Sequence, residues 1–247
     1  MNFSEMSGKS LMGRLLRFPL RLIPDRAVMP VLQGRMRGKR WIAGSSDHGC
    51  WLGSYEYAIR RVFEETIKQG SIVYDVGAHV GYYTLLASEL VGEDGHVYAF
   101  EPHPKNIDYL HQHLEMNSIQ NVTVFEGAVA DRSGDAYFKF GPSRSMGKIS
   151  DQGETRVKLF NLDELIAEDK VEPPQFMKID VEGAELAVLH GASNCLRTYH
   201  PTLFLETHSD RIHQESLREL GDLGYEVKPL TNQTLNGAGT ILAFSKA

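Results

Sequence analysis

A chain of 247 residues with 42% hydrophobic and 23% charged side chains can bury a sizeable core and is composed too evenly for a disordered or fibrous protein. Two cysteines, Cys50 and Cys195, exclude a disulfide framework and a cysteine-rich metal centre, and make a reducing, cytoplasmic setting the default. The net charge of −6 divides unevenly: residues 1 to 40 carry nine Lys or Arg against Glu5 and Asp25, or +7, which leaves −13 for the remainder.

The basic end comes first. Leu11 to Ile23 is its most apolar run, yet Arg14, Arg17, Pro19 and Arg21 interrupt it, which excludes a membrane span and deprives a secretion signal of its apolar core. Residues 1–49 therefore read as a basic arm or helical appendage ahead of one domain over 50–247. Its leucines either dock on that domain with the arginines in solvent, or its basic face meets a membrane surface or an acidic partner. An organellar address is also open.

Tyr55 to Lys68 sets Ile59, Val62, Phe63 and Ile67 on one helical face and stops at Gly70, a covering helix with a glycine cap. Ser71 to Val76, rich in β-formers, predicts a buried strand, and Val80 to Leu90 a helix. The turn between them carries Gly77 and Gly81, which lets a ligand approach bare backbone at a helix N-terminus. Its spacing, Asp-x-Gly-x-x-x-Gly from Asp75, departs from the G-x-G-x-x-G of a dinucleotide site. A carboxylate there repels pyrophosphate and suits an ammonium group, such as that of the amino acid moiety of S-adenosylmethionine.

Gly95 to Glu101 predicts the next strand, a helix opens at Pro104 with Ile107, Leu110 and Leu114 inward, and Asn121 to Phe125 predicts a third strand. Short connections in such a run predict parallel pairing. Glu101 ends its strand about 20 residues beyond Gly81, the place from which an acid hydrogen-bonds a ribose diol. The backbone around Ala128 is suited to reading an adenine edge. Residues 132–160 break the rhythm with two short strands, Ala136 to Phe140 and Thr155 to Phe160. Between them the polar loop Gly141 to Lys148 reads as a lid or acceptor-binding element, or else as plain connective surface. Asn161 is a helix cap. Phe176 to Ile179 then predicts a strand beside the first, across the switch point where open α/β sheets bind ligands, so Asp180 and Glu182 follow at the donor's reactive end. The next helix has Leu186, Leu189 and Ala192 inward, and Pro201 to His208 predicts a fifth strand that delivers Glu206 and His208 to the same edge.

Asp75 to Gly81, Phe100-Glu101-Pro102, Lys178-Ile179-Asp180-Val181-Glu182-Gly183-Ala184-Glu185 and Pro201 to Glu206, with Trp51 to Glu56 upstream, together resemble the FkbM family of class I S-adenosylmethionine-dependent methyltransferases. The resemblance covers residues 50–246. It implies a Rossmann-like α/β fold, a seven-stranded, mostly parallel sheet with helices on both faces and a C-terminal antiparallel hairpin of Tyr225 to Lys228 and Thr240 to Phe244. It also implies O-methylation of sugars, glycans or natural-product hydroxyls, with S-adenosylhomocysteine as the product. Asp75, Gly77, Ala78, Gly81, Glu101, Pro102, Ala128 and Asp180 are the expected donor-binding residues, and Asp180, Glu182, Glu206 and His208 the expected catalytic ones. His208 has the ordinary pKa of a general base, while Asp180 and Glu182 orient the acceptor.

No metal ligand is assigned, although Asp180, Glu206 and His208 would suit a hard cation such as Mg²⁺. Two positions depart from the family pattern. His79 stands where Asn is frequent, and Gly127 stands where many class I enzymes carry an acid for the adenine amine, which leaves backbone, Glu126 or Asp131 for that contact. Two other functions stay in play. A nucleic-acid methyltransferase is suggested by the basic arm, but the chain lacks an Asn/Asp-Pro-Pro-aromatic turn and a stacking platform. The other is a donor-binding module without turnover.

Overall fold

The computed structural model describes residues 19–140, 147–150, 155–230 and 237–245. The first eighteen residues of the basic arm and residues 141–146 of the expected lid lie outside them. A short 3-10 turn (Pro19–Leu22) leads to an antiparallel pair, β1 (Val28–Pro30) and β2 (Arg40–Ile42), and to helices α1 (Gly49–Leu52) and α2 (Tyr57–Thr66). The alternating run follows as β3 (Ile72–Val76), α3 (Tyr82–Val91), β4 (His96–Glu101), α4 (Pro104–Met116) and β5 (Val122–Val129). β6 (Gly134–Phe140), β7 (Gly147–Ser150) and β8 (Thr155–Phe160) interrupt it. It resumes with α5 (Leu162–Ala167), β9 (Phe176–Ile179), α6 (Glu185–Gly191), α7 (Ser193–Tyr199), β10 (Thr202–Glu206), α8 (Asp210–Asp222), β11 (Tyr225–Pro229) and β12 (Thr240–Ser245).

Apart from the β1-β2 pair, the strands form one sheet in the order β11-β12-β10-β9-β3-β4-β5-β8-β6-β7. Its first seven members are the expected sheet. β10, β9, β3, β4 and β5 run parallel, and β12 lies antiparallel between β10 and β11. The sheet does not stop at seven, because β8 adds to β5 in parallel and β6 and β7 add antiparallel beyond it. This addition explains Gly127. A Cβ there would meet the Lys158 carbonyl oxygen at 2.5 Å and Phe160 Cε2 at 2.7 Å, so the neighbouring strand leaves no room for an acid. β5 is also longer than expected, and Ala128 lies inside it rather than in the following loop.

Period-two alternation divides the core between the two sheet faces. Val73, Val97, Phe176 and Phe204 face one layer with Phe63, Tyr83, Leu85 and Leu110, supplied by α2, α3 and α4. Val76, Phe100, Ile179 and Leu205 face the other, with Leu162, Val188, Leu196 and Leu220 of α5 to α8. The stretch expected as an appendage contributes Val31, Met36, Trp41 and Ala43 to the first layer, where Leu20 and Ile23 also pack. Trp41 stacks on His113 at 3.9 Å. His113 donates from Nδ1 to the Val80 carbonyl (2.8 Å) and accepts the Ile42 amide at Nε2 (3.1 Å), so this neutral ring ties β2 to the sheet. α2 begins at Tyr57 rather than Tyr55 because Glu56 takes a left-handed φ of 42°, and it ends ahead of Gly70 because Ile67 is already extended.

Candidate active site

A cavity of about 1260 Å³ opens over the C-terminal tips of β3, β4, β5, β9 and β10, and residues 44–56 form its outer wall. Single-ligand pockets hold roughly 300–1,000 Å³, so the space suits a donor and an acceptor together. Of the residues expected to bind donor, Asp75, Gly77, Ala78, Glu101, Pro102, Ala128 and Asp180 line this cavity, as do Glu182, Glu206 and His208. Gly81 does not. A Cβ on it would meet Leu110 Cδ1 at 2.5 Å, and its φ of 93° starts α3, so its role is helix packing. Gly77, with φ 84°, lets β3 and β9 converge, because a Cβ there would run into the Asp180 carbonyl. Glu126 turns outward to His111 (3.0 Å), whereas Asp131 lines the cavity beside Arg132.

The same alternation that builds the first core layer places Asp75, Glu101, Lys178 and Glu206 on that layer's side of the sheet, at its C-terminal edge. Asp75 is 1% exposed. Its Oδ2 accepts from Thr84 Oγ1 at 2.6 Å, while Oδ1 is buried with no hydrogen-bond partner. Burial raises its carboxyl above the usual range, opposed by Lys178 and Thr84. Glu101 is more fully engaged. It accepts from the amides of His79 (2.8 Å) and His103 (2.9 Å) and from Asn106 Nδ2 (3.1 Å). Burial nevertheless pushes its carboxyl up to about 7. A carboxylate has about four lone-pair sites, so Glu101 keeps capacity for one donor from a ligand.

Lys178 Nζ lies 3.0 Å from Asp180 Oδ2 and 4.9 Å from the centre of the Tyr83 ring. Burial works against its charge, but Asp180, Asp75 and Glu56 outweigh it and hold the ammonium above its usual range. Burial likewise pushes Asp180 up, and Lys178 more than reverses this. His208 is organised from behind. Glu185 Oε1 accepts from both its Nδ1 (2.7 Å) and its backbone amide (3.1 Å). Nε2 faces Asp180 Oδ1 at 3.5 Å and Glu182 Oε2 at 3.7 Å. The Glu185 hydrogen bond raises His208 to about 9 against the opposing effect of burial, with Asp180 and Glu182 adding to the rise. Glu206 is pushed up to about 7 by burial first, then by Asp180 and Glu56. Asp180, Glu206 and His208 offer ligand atoms within 4.8 Å of one another, a spacing a divalent cation could bridge.

Sequence reasoning left five contributors without a role. Glu185 is 0% exposed and lies on the buried stripe Glu185, Val188, Leu189 and Ala192 of α6. Leu186, expected inward, is only half-buried. An acid on the i, i+3, i+4, i+7 stripe of a helix was the available signal. Lys178 was visible in its motif, but its ion pair was not. Of the wall residues, Tyr55 and Glu56 lie in the Trp51–Glu56 segment that resembles the family but had no role assigned, and Asp47 had no local mark. Backbone strain concentrates here too. Among the described residues, non-glycine left-handed backbone occurs at six positions, and Glu56, His79 and Glu182 of these line the cavity, at on the order of 1–3 kcal/mol each.

The profile of the Methyltransferase FkbM domain matches residues 75–227. The chain is 30% identical over 145 residues to the hexuronic acid methyltransferase AglP of Haloferax volcanii, a match covering 58% of this chain and 59% of that protein. It therefore spans under two thirds of that relative. Among solved structures, the precorrin-6y C5,15-methyltransferase of Geobacter metallireducens superposes with a TM-score of 0.53 at 16% identity, over 79% of this chain and 90% of that one. The methyltransferase FkbM of Methylobacillus flagellatus gives 0.49 at 17% identity, over 81% and 55%. The first of these likenesses speaks to the fold alone. An ammonium-bearing donor fits the residues present, because the orphaned Oδ1 of Asp75 is a buried acceptor on a wall of the cavity. With the profile spanning well over half of its residues, the chain belongs to the FkbM methyltransferase family.

Proposed function

We propose that this methyltransferase modifies a hydroxyl of a sugar, glycan or natural-product acceptor. The observation that carries the reading is His208, whose Nδ1 is fixed by a buried carboxylate at 2.7 Å while Nε2 faces the cavity between Asp180 and Glu182. An aliphatic hydroxyl is a poor nucleophile until its proton has somewhere to go. His208 Nε2 takes that proton, Glu185 fixes the tautomer, and Asp180 and Glu182 orient the hydroxyl; Glu206 lies on the acceptor side. Bound S-adenosylmethionine supplies an electrophilic methyl group on sulfonium, so alignment is the protein's largest contribution. Asp75 receives the donor's ammonium and Glu101 its ribose, while Gly77, Ala78, Pro102 and Ala128 shape the groove between them. The relative named for a hexuronic acid supports a polyhydroxylated, sugar-like acceptor and leaves the acceptor's charge open.

His208 holds its proton above neutrality in the protein alone. A cation bound beside Asp180 lowers that proton affinity, which readies Nε2 to act as a base once the site is filled. The test is incubation with methyl-labelled donor and a metabolite extract, followed by mass spectrometry of the product. An O-methyl ether is expected. His208→Ala should lower kcat by about 10²–10⁴ with donor affinity by calorimetry unchanged. Transfer to nitrogen or carbon, or an unaffected rate in His208→Ala, would sink the proposal.

A further inference from the structure

We propose that the cavity beyond β9 is an acceptor subsite walled by residues 44–56, and that it takes an uncharged polyol while rejecting hexuronates and phosphorylated sugars. The inference rests on the transferase reading above. Asp75 and Glu101 mark the donor side at the tips of β3 and β4. Across β9 lie Glu206 and His208 from the β10 end, facing a wall that includes Asp47, Tyr55 and Glu56. That wall precedes the matched domain, which starts at residue 75.

The charge of this half is lopsided. Glu56, Asp180, Glu182 and Glu206 all line it. Among the described cavity-lining residues, each lysine or arginine already has a carboxylate partner. Lys178 is on Asp180 (3.0 Å), Arg132 on Asp131 (3.3 Å), and Arg211 on Glu215 (2.9 Å) with its side chain 71% exposed at the rim. His208 is likewise held by Glu185 at 2.7 Å. A carboxylate or phosphate brought in here would meet like charge with no spare cation among the described lysines and arginines, and desolvation magnifies that repulsion. A hydroxyl-rich acceptor finds the reverse, because each carboxylate can accept from an O–H. Glu56 is held in place by Tyr83, whose hydroxyl donates to its Oε2 at 2.7 Å, so its charge cannot swing aside without breaking that bond.

The experiment splits a metabolite extract of the source cells on an anion exchanger at pH 7 before reaction. Each fraction is then incubated with the protein and methyl-labelled S-adenosylmethionine, with Mg²⁺ and separately with a chelator. Label is expected in products from the unretained fraction, and it should survive mild alkali as an ether does. Acceptors in the retained fraction, or label released by alkali as methanol from a methyl ester, would overturn the subsite assignment and leave the transferase reading standing. Label in neither fraction under both conditions overturns the transferase reading, and the subsite with it. Glu56→Gln keeps the bond from Tyr83 and removes one charge, so it should raise the share of retained acceptors on the order of tenfold. An unchanged share would refute charge as the filter.

Discussion

Replacing Glu185 with Gln isolates the group that organises His208. The side chain is 0% exposed, and the amide can keep accepting from Nδ1 and the His208 backbone while the charge is lost. His208 stands at about 9 against an ordinary 6.5, a preference for imidazolium worth roughly 3 kcal/mol. Glu185 is the first of its causes, followed by Asp180 and Glu182, so neutralising it should remove about 1–2 kcal/mol, or about one pH unit of proton affinity. The sign follows from linkage. A raised histidine stabilises the fold fully below pH 6.5, and that stability is lost as pH rises through about 9. Glu185→Gln should therefore be least stable relative to the parent below pH 6.5, and the gap should close by pH 9. Carbon-detected titration of labelled histidine gives the pKa directly, and urea unfolding at several pH values gives the gap. The acidic limb of the kcat profile, where activity rises with pH as His208 loses its proton, should move to lower pH by the same amount. A His208 that titrates unchanged in the variant would refute the dyad, whereas a stability loss equal at every pH would mean that Glu185 only packs.

Asp75→Asn should separate binding from stability. Calorimetry with S-adenosylmethionine should show affinity lower by at least tenfold, the worth of one charged hydrogen bond, while the melting temperature rises because a buried charge has gone; equal affinity would displace Asp75 from the donor site. His113, lowered to about 4 by burial, should cost stability as pH falls from 6.5 toward 4, by up to roughly 3 kcal/mol. Glu101 and Glu206, both raised to about 7, act with opposite sign over the same range, so the measurement is the unfolding free energy of His113→Gln minus that of the parent, which should shift toward the variant on acidification.

The parts of the site that follow from a short-range period were legible in the chain. Phe176–Ile179 is the strand its apolar run predicts, and alternation within β3 and β4 alone puts Asp75 and Glu101 on one face. What escaped depends on partners distant in sequence. Trp41 and Met36 sit among arginines, so a charge count over residues 1 to 40 sees an arm where packing against His113 and its neighbours makes core. β8 is as short and alternating as many edge strands, and nothing local says that it pairs with β5 and forces Gly127. Glu185 meets His208 across 23 positions of sequence, and an acid in a helix's first turn reads equally well as a dipole partner.

The two faces of the sheet explain how so much buried charge is tolerated. On one face Val76, Phe100, Ile179 and Leu205 stay apolar up to the strand tips and are closed over by α5 to α8. On the other, the strands are apolar at their feet, at Val73, Val97, Phe176 and Phe204, and turn acidic or basic only at Asp75, Glu101, Lys178 and Glu206. The cost of desolvating those groups is thus confined to one edge, above a continuous hydrophobic layer that a change at the tips does not reach. Because neighbouring residues along a strand serve opposite faces, Ile179 and Asp180 belong to different problems although they adjoin. A substitution at the first is felt as lost packing, and one at the second as altered charge beside Lys178 and His208. This separation lets a wall from outside the profile-matched residues, 44–56, be laid over the charged edge, and so vary what the enzyme accepts without disturbing what holds it together.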